Sequence, residues 1–114
     1  MIVKAVFHID ETQKWTLLLK NVRNLVQEVE LSNSHIEVLA NSEAVKAYVN
    51  TTLNANTALI KELANLGIHF TACNNALNGF GINRKQLEAF VEVVPVGVLE
   101  VIEKQAKGYA YIKP

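Results

Sequence analysis

Residues 70–77 read Phe-Thr-Ala-Cys-Asn-Asn-Ala-Leu and contain the only cysteine of the chain, Cys73. The apolar run before the cysteine predicts a buried strand over Ile68–Ala72. The residues after it favour a short helix, which we expect over Asn74–Asn78. A buried strand that turns directly into a helix indicates an α/β protein, in which ligands and reactive groups collect at the carboxyl ends of parallel strands.

The hydrophobic pattern repeats this strand–helix unit along the chain. Apolar residues fill Ile2–Ile9, and a helical period follows between Trp15 and Val29, with Thr12 or Asp10 as the expected N-terminal cap. The other predicted elements are a strand over His35–Ala40, a short helix capped by Asn41-Ser42 and running to Tyr48, a helix over Leu59–Leu66 ended by Gly67, a strand over Val91–Val94, a helix over Val96–Lys107 and a strand over Tyr109–Ile112.

This alternation predicts an α/β fold, a flavodoxin-like three-layer sandwich with about five mainly parallel strands and helices on both faces. Right-handed crossovers would join the strands. The chain has 114 residues, which suits one domain, and we expect residues 1–114 to form it.

Composition narrows the class of function. The chain is 50% hydrophobic and 19% charged, which is typical of a globular protein, and its 11 basic residues balance its 11 acidic ones. Nothing therefore points to nucleic acid or to a membrane surface, and we expect neither as a partner. One cysteine forms no internal disulfide and no cysteine-based metal site, so we expect a cytoplasmic protein without metal or cofactor. A neutral, apolar chain of this size favours a homo-oligomer.

Polar residues follow the predicted strands where the carboxyl edge of the sheet should lie. His8 and Asp10 end the first strand, Asn41 ends the second, and Cys73 with its two asparagines ends the third. In a flavodoxin-like strand order the first and third strands are neighbours. His8, Asp10 and Cys73 would then lie near one crevice.

Two interpretations of Cys73 remain open at this point. A thiol at the start of a helix is a candidate nucleophile, because the helix dipole favours thiolate over thiol. The alternative is a small buried cysteine that only fills space. A Cys-His-Asp hydrolase is disfavoured because no nucleophile-elbow motif is present. Asn74 and Asn75 are candidate donors to a small anion, although capping the helix is the simpler role.

Three parts of the chain resemble the DsrE/DsrF-like family. They are residues 6–10 with Trp15 and residues 21–25, residues 70–77 with Gly81-Ile82, and residues 93–98 with Gln105 and residues 108–112. The resemblance implies the fold above and assembly as trimers or hexamers. It also implies that Cys73, at the position of the cysteine in sulfur-relay members, takes up sulfane sulfur as a persulfide and passes it between donor and acceptor proteins.

We therefore expect a sulfur carrier, either a sulfurtransferase or a component of a sulfur relay. Cys73 and His8 are the predicted catalytic residues. The predicted substrate-binding residues are Asp10, Asn41, Asn74 and Asn75. Two other functions remain open on the same fold, a non-catalytic oligomeric scaffold or binding protein and a small-ligand binder.

Overall fold

The computed structural model describes all residues, 1–114. Its strands and helices, in chain order, are β1 Lys4–Ile9, α1 Trp15–Val26, β2 His35–Ala40, α2 Ala55–Asn65, β3 His69–Cys73, α3 Asn74–Gly79, β4 Glu92–Val94, α4 Gly97–Ala106 and β5 Ala110–Ile112. Four 3-10 helices connect them, over Thr12–Lys14, Leu31–Asn33, Ser42–Tyr48 and Arg84–Gln86. No helix combines the length and the apolar character that crossing a bilayer requires.

The five strands form one parallel sheet in the order β4-β3-β2-β1-β5. The predicted parallel α/β sheet is therefore confirmed, but the expected contact between the first and third strands is wrong. β2 lies between β1 and β3, because each early crossover places the next strand beside the last one. Only the crossover from β4 to β5 departs from this order, because it crosses the sheet and places β5 beside β1.

The two faces of the sheet bury different residues because side chains alternate along each strand. Ala5, Phe7 and Ile9 of β1 belong to one core cluster of 20 buried residues, which also includes Trp15 of α1 and Ile60 of α2. This core holds α1 and α2 on one face.

The opposite face of the sheet carries the other residues of each strand. Val6, Leu39 and Cys73 are buried but lie outside the large cluster. α4 covers this face, since its Lys104 reaches Glu37 of β2. Helices therefore flank both faces, as a three-layer sandwich requires.

Helix ends follow the sequence signals in part. Gly67 follows α2 with a φ of +105°, a left-handed conformation that favours glycine, as predicted. The predicted caps before α1 and after β2 are wrong, because neither 3-10 helix has a side-chain cap. The backbone N–H of Thr12 instead donates to Glu43 Oε2 at 2.9 Å, so a residue distant in sequence satisfies this helix start.

Candidate functional site

Three of the predicted site residues lie side by side at the carboxyl edge of the sheet. Ile9 of β1 pairs with Ala40 of β2, and Ala40 pairs with Ala72 of β3. Asp10, Asn41 and Cys73 directly follow Ile9, Ala40 and Ala72. These three residues therefore form a row across the edge of the sheet. Asn41 occupies the middle of the row, between Asp10 and Cys73.

Cys73 ends β3 and lines an open cavity. The cavity has a volume of about 450 Å³, and its wall includes Asp10, Asn41, Ser42, Asn75 and Gly97. Cys73 is a free thiol and is only 4% exposed. Cys73 is therefore largely covered, and this cavity is the opening that the residue lines.

The helix that follows Cys73 is short. α3 has six residues, and Cys73 stands at its N-cap without a side-chain capping hydrogen bond. A helix of this length has few aligned peptide dipoles. The position of Cys73 in the cavity is thus a stronger feature of the site than the helix dipole that the sequence suggested.

His8 lies near this row but not in the cavity beside Cys73. Its Nδ1 is 2.7 Å from the hydroxyl oxygen of Tyr111 in β5, and its Nε2 is 3.5 Å from Nδ2 of Asn41. Because β2 separates β1 from β3, Asn41 lies between His8 and Cys73 at the sheet edge. A directly paired cysteine and histidine, which a hydrolase of this kind needs, is not formed.

The surroundings of His8 favour the neutral imidazole. Burial lowers the pKa of His8 below its ordinary value of 6.5, and the positive charge of Lys113 lowers it further. The negative charge of Asp10 raises this pKa, but by less than the other two causes lower it. An amide NH₂ group only donates, so Nε2 accepts from Asn41 and Nδ1–H donates to Tyr111. His8 therefore holds the side chain of Asn41 from the side opposite Cys73.

Asp10 brings a carboxylate to the rim of the cavity, where it is paired. Lys113 Nζ lies 2.9 Å from Asp10 Oδ2. The hydrogen bond from Lys113 lowers the pKa of Asp10 below its ordinary value of 3.8. The paired lysine offsets much of the repulsion that an acidic rim would exert on an anionic sulfur compound.

The two asparagines after Cys73 open into different depressions. Asn75 lines the Cys73 cavity. Asn74 lines a separate depression of about 520 Å³ with Asn78, Asn83 and Arg84. Asn75 thus lines the same cavity as Cys73, whereas Asn74 lines a different one.

Gly97 is a site residue that the sequence analysis did not single out. It begins α4, is buried, and lines the Cys73 cavity. A Cβ atom at this position would lie 2.9 Å from Nδ2 of Asn41, closer than packed atoms approach. A glycine two residues after Pro95 was the available signal, but a glycine there equally suits an ordinary turn before a helix.

Ser42 is a second residue that the sequence did not identify. It follows Asn41, lines the same cavity, and has a φ of +49°, which is uncommon outside glycine. This backbone conformation turns the chain away from the sheet directly after Asn41. The wall of the cavity therefore depends on a local conformation that residue type does not reveal.

Comparisons with known proteins agree with this architecture. Residues 3–114 match the model of the DsrE/DsrF-like family. A protein of unknown function, MTH1491 from Methanobacterium thermoautotrophicum, is 35% identical, with a TM-score of 0.89 over 98% of this chain and 99% of that one. The ychN protein from E. coli is 18% identical and shares the fold, with a TM-score of 0.79 over 99% of this chain and 100% of that one. No curated protein matches the chain. The family match and the similarity to MTH1491 cover nearly every residue, and the chain belongs to the DsrE/DsrF-like family.

Proposed function

We propose that this protein is a sulfur carrier that accepts sulfane sulfur on Cys73 and passes it on as a persulfide. The observation that supports this most directly is the position of the only thiol, which lines an open cavity at the carboxyl edge of the sheet in a member of the DsrE/DsrF-like family. Membership of this family is associated with sulfur relay. The reaction needs one accessible cysteine and no second thiol in the same chain.

The proposed step is a thiolate–persulfide exchange. The Cys73 thiolate attacks the terminal sulfur of a donor R–S–SH, a new sulfur–sulfur bond forms, and the donor's own sulfur–sulfur bond breaks. The donor leaves as the thiolate R–S⁻, and Cys73 carries –S–SH. An acceptor thiolate then repeats the exchange in the opposite sense, so no net oxidation or reduction occurs.

The residues around Cys73 have separate roles in this proposal. Asn41 and Asn75 line the cavity and offer amide donors to the incoming sulfur compound. His8 acts on Asn41 and not on the sulfur, so we assign it a positioning role. A free thiol that must stay reduced between transfers suits the cytoplasm, where we propose that the protein acts.

The burial of Cys73 sets a requirement on the donor. With 4% of the residue exposed, the attacked sulfur must enter the cavity. A small persulfide or a protruding persulfide group on a partner protein can do this, whereas a flat protein surface cannot. This geometry favours donors that present the terminal sulfur at the end of a flexible chain.

The direct test uses cysteine persulfide as the donor and intact-protein mass as the readout. We expect the wild-type protein to gain the mass of one sulfur atom and the Cys73→Ser variant to gain none. A reduced thiol acceptor should then remove the added sulfur. If the wild-type protein gains no sulfur while free cysteine in the same buffer exchanges normally, the carrier function is contradicted.

A second candidate function, an oligomeric scaffold or binding protein, is favoured by the outer face of α4. Val98, Leu99 and Ile102 are 62%, 48% and 57% exposed there. Adjacent exposed apolar residues on one helix suit a protein interface, and we propose that copies of this chain associate through this face into a trimer or hexamer. A small-ligand binder would use the Cys73 cavity without covalent change.

Light scattering tests the oligomer. We expect an assembly for the wild-type protein and a smaller species for Ile102→Lys. The control is Leu17→Lys, since Leu17 is 45% exposed on α1, away from α4. A wild-type monomer over the working concentration range would contradict the assembly, and an equal effect of both variants would contradict the choice of α4.

A further inference from the structure

A buried carboxyl group lies beneath α4, separate from the Cys73 row. The side chain of Glu37, in the middle of β2, is 5% exposed. Its Oε2 accepts a hydrogen bond from Thr71 Oγ1 at 2.8 Å, and its Oε1 lies 3.6 Å from Lys104 Nζ. The carboxyl group of Glu100 is a close neighbour of Glu37, and its Oε2 lies 4.0 Å from the same ammonium group.

These groups line a cavity of about 200 Å³ between α4 and the sheet. The polar residues that face Glu37 from each surrounding element are His35 of β2, His69 and Thr71 of β3, Glu92 of β4, Glu100 and Lys104 of α4, and Tyr109 before β5. His69 and Glu92 pair with each other at 3.5 Å near the cavity entrance. Tyr48 lies on the other face of the sheet and donates to Val38 O.

The charge balance of this cluster depends on one proton. With Glu37 protonated, the negative Glu100 and the positive Lys104 cancel, and the Glu37 carboxyl group has a proton to donate to the neighbouring Glu100 carboxylate. With Glu37 ionised, two carboxylates face one ammonium group in a site that water reaches poorly. Burial, followed by the Glu100 carboxyl, raises the pKa of Glu37 from 4.5 to about 7.

α4 buries fewer of its own residues than α1 does. Its only buried residue is Gly97, whereas α1 buries Trp15, Leu18, Leu19 and Val22. Lys104 connects the helix to Glu37 of the sheet through an ion pair. Protonation of Glu37 therefore bears directly on how firmly α4 is attached.

The position of α4 also bears on Cys73. Val96, Gly97 and Val98 at the start of the helix line the Cys73 cavity, and Gly97 packs against Asn41. Gly97 and Lys104 belong to one helix and are about 10 Å apart along its axis. A tilt of α4 at the cluster is therefore transmitted to the wall that covers the thiol.

We propose that Glu37, Glu100 and Lys104 form a proton-operated clasp, which holds α4 against the sheet when Glu37 is protonated and loosens it when Glu37 is ionised. Loosening uncovers Cys73. The movement of α4 is independent of sulfur chemistry, and only its consequence for transfer rests on the proposed function. A ligand-binding role for the same cavity is less suited, because Lys104 already occupies the place of a bound cation.

Hydrogen–deuterium exchange of the α4 amides tests the clasp, with each rate corrected for the intrinsic pH dependence of exchange. The Glu37 carboxyl group has its raised pKa of about 7 when α4 is attached and its ordinary pKa of 4.5 when α4 is detached. Between these two pH values Glu37 is therefore protonated in the attached form and ionised in the detached form. We expect protection of α4 in the wild-type protein to fall with rising pH in this window, by up to about tenfold per pH unit, and then to level off.

Three variants locate the effect. Glu37→Gln retains an amide that can hydrogen-bond to Thr71 and Glu100, so α4 protection should become independent of pH in this window. Glu92→Gln removes an equal charge at the same cavity, but Glu92 pairs with His69 and not with Lys104, so this variant should behave like the wild-type protein. Glu100→Gln removes the competing carboxylate, so protection should level off at a lower pH.

Alkylation of Cys73 by iodoacetamide connects the clasp to the thiol. The ratio of the wild-type rate to the Glu37→Gln rate cancels the ordinary titration of the thiol, and we expect this ratio to rise severalfold across the window. A pH dependence of α4 protection that is the same in wild type and Glu37→Gln would overturn the clasp. If hydrogen–deuterium exchange shows the expected pH dependence but the alkylation ratio stays constant, the effect of the clasp on Cys73 is overturned. The test of sulfur uptake by Cys73 does not depend on either result.

Discussion

Gly97 and Asn41 are in closer contact than any larger residue at position 97 would permit, since a Cβ on Gly97 would lie 2.9 Å from Asn41 Nδ2. This contact joins the start of α4 to the residue beside Cys73. The neutral amide of Asn41 lines the same cavity as Cys73, whereas the imidazole of His8 does not. The wall of the cavity and the row at the sheet edge therefore form one packed unit.

Gly97→Ala should destabilise the protein because the added methyl group displaces the Asn41 amide. Overpacking of this kind reduces the free energy of unfolding by about 1–3 kcal/mol, which exceeds the gain of under about 1 kcal/mol from replacing glycine in a helix. Urea denaturation measures the change. Gly79→Ala is the control, because a Cβ at Gly79 meets nothing within 4 Å and its φ is not positive.

A double-mutant cycle checks the cause of that loss. In an Asn41→Ala background the clash is removed, so Gly97→Ala should become neutral or slightly stabilising. An undiminished loss in this background would show that Asn41 is not the group that resists the methyl.

The free energy of unfolding should depend on the protonation of Glu37. A group whose pKa is higher in the folded than in the unfolded protein stabilises the fold at low pH, and this contribution is lost as pH rises from 4.5 to about 7. The full loss is on the order of 3 kcal/mol. The measurement is the difference between wild-type and Glu37→Gln unfolding curves, because the lowered pKa of His8 acts in the opposite sense and is common to both proteins.

The positive charge of Lys113 should have a measurable effect on the pKa of His8. Removing its positive charge with Lys113→Gln should raise the pKa of His8, since Lys113 is one of the two causes that lower it. NMR of the imidazole signals measures the shift, and Lys85→Gln, on the 3-10 helix at Arg84–Gln86, is the matched charge control. Equal shifts in both variants would mean that the general charge of the protein, and not Lys113, sets the value.

Truncation of Asn75 should make Cys73 easier to reach. Asn75 lines the Cys73 cavity and Asn74 lines a different one, so Asn75→Ala should accelerate reaction with a bulky disulfide reagent and Asn74→Ala should not. Stopped-flow absorbance gives both rates. A faster reaction in the Asn74→Ala variant alone would reverse the assignment of the two side chains.

Tyr48→Phe should destabilise the core through one lost hydrogen bond. The buried Tyr48 hydroxyl donates to Val38 O at 3.0 Å, and such a bond contributes about 1 kcal/mol. Thermal unfolding measures the loss. Tyr109→Phe removes a hydroxyl from a half-buried ring and should change the midpoint much less.

Local pattern was sufficient to predict the elements and the place of the thiol. Alternation of apolar segments with helical periods indicated the five strands, and Gly67 indicated the end of α2, because these signals act over a few residues. Cys73 was correctly placed at the junction of β3 and α3 for the same reason. The resemblance to the DsrE/DsrF-like family then identified the fold that the comparisons show.

Long-range packing determines the strand order and the contacts around the candidate site, which local pattern did not predict. The neighbours of each strand depend on crossovers, so residue patterns alone did not show that β2 separates His8 from Cys73. The burial of Glu37 under α4 and the contact between Gly97 and Asn41 join segments more than 50 residues apart. Such contacts leave no periodic trace in the chain, because Glu37 looks like an ordinary surface glutamate and Gly97 like an ordinary turn glycine until folding brings their partners to them.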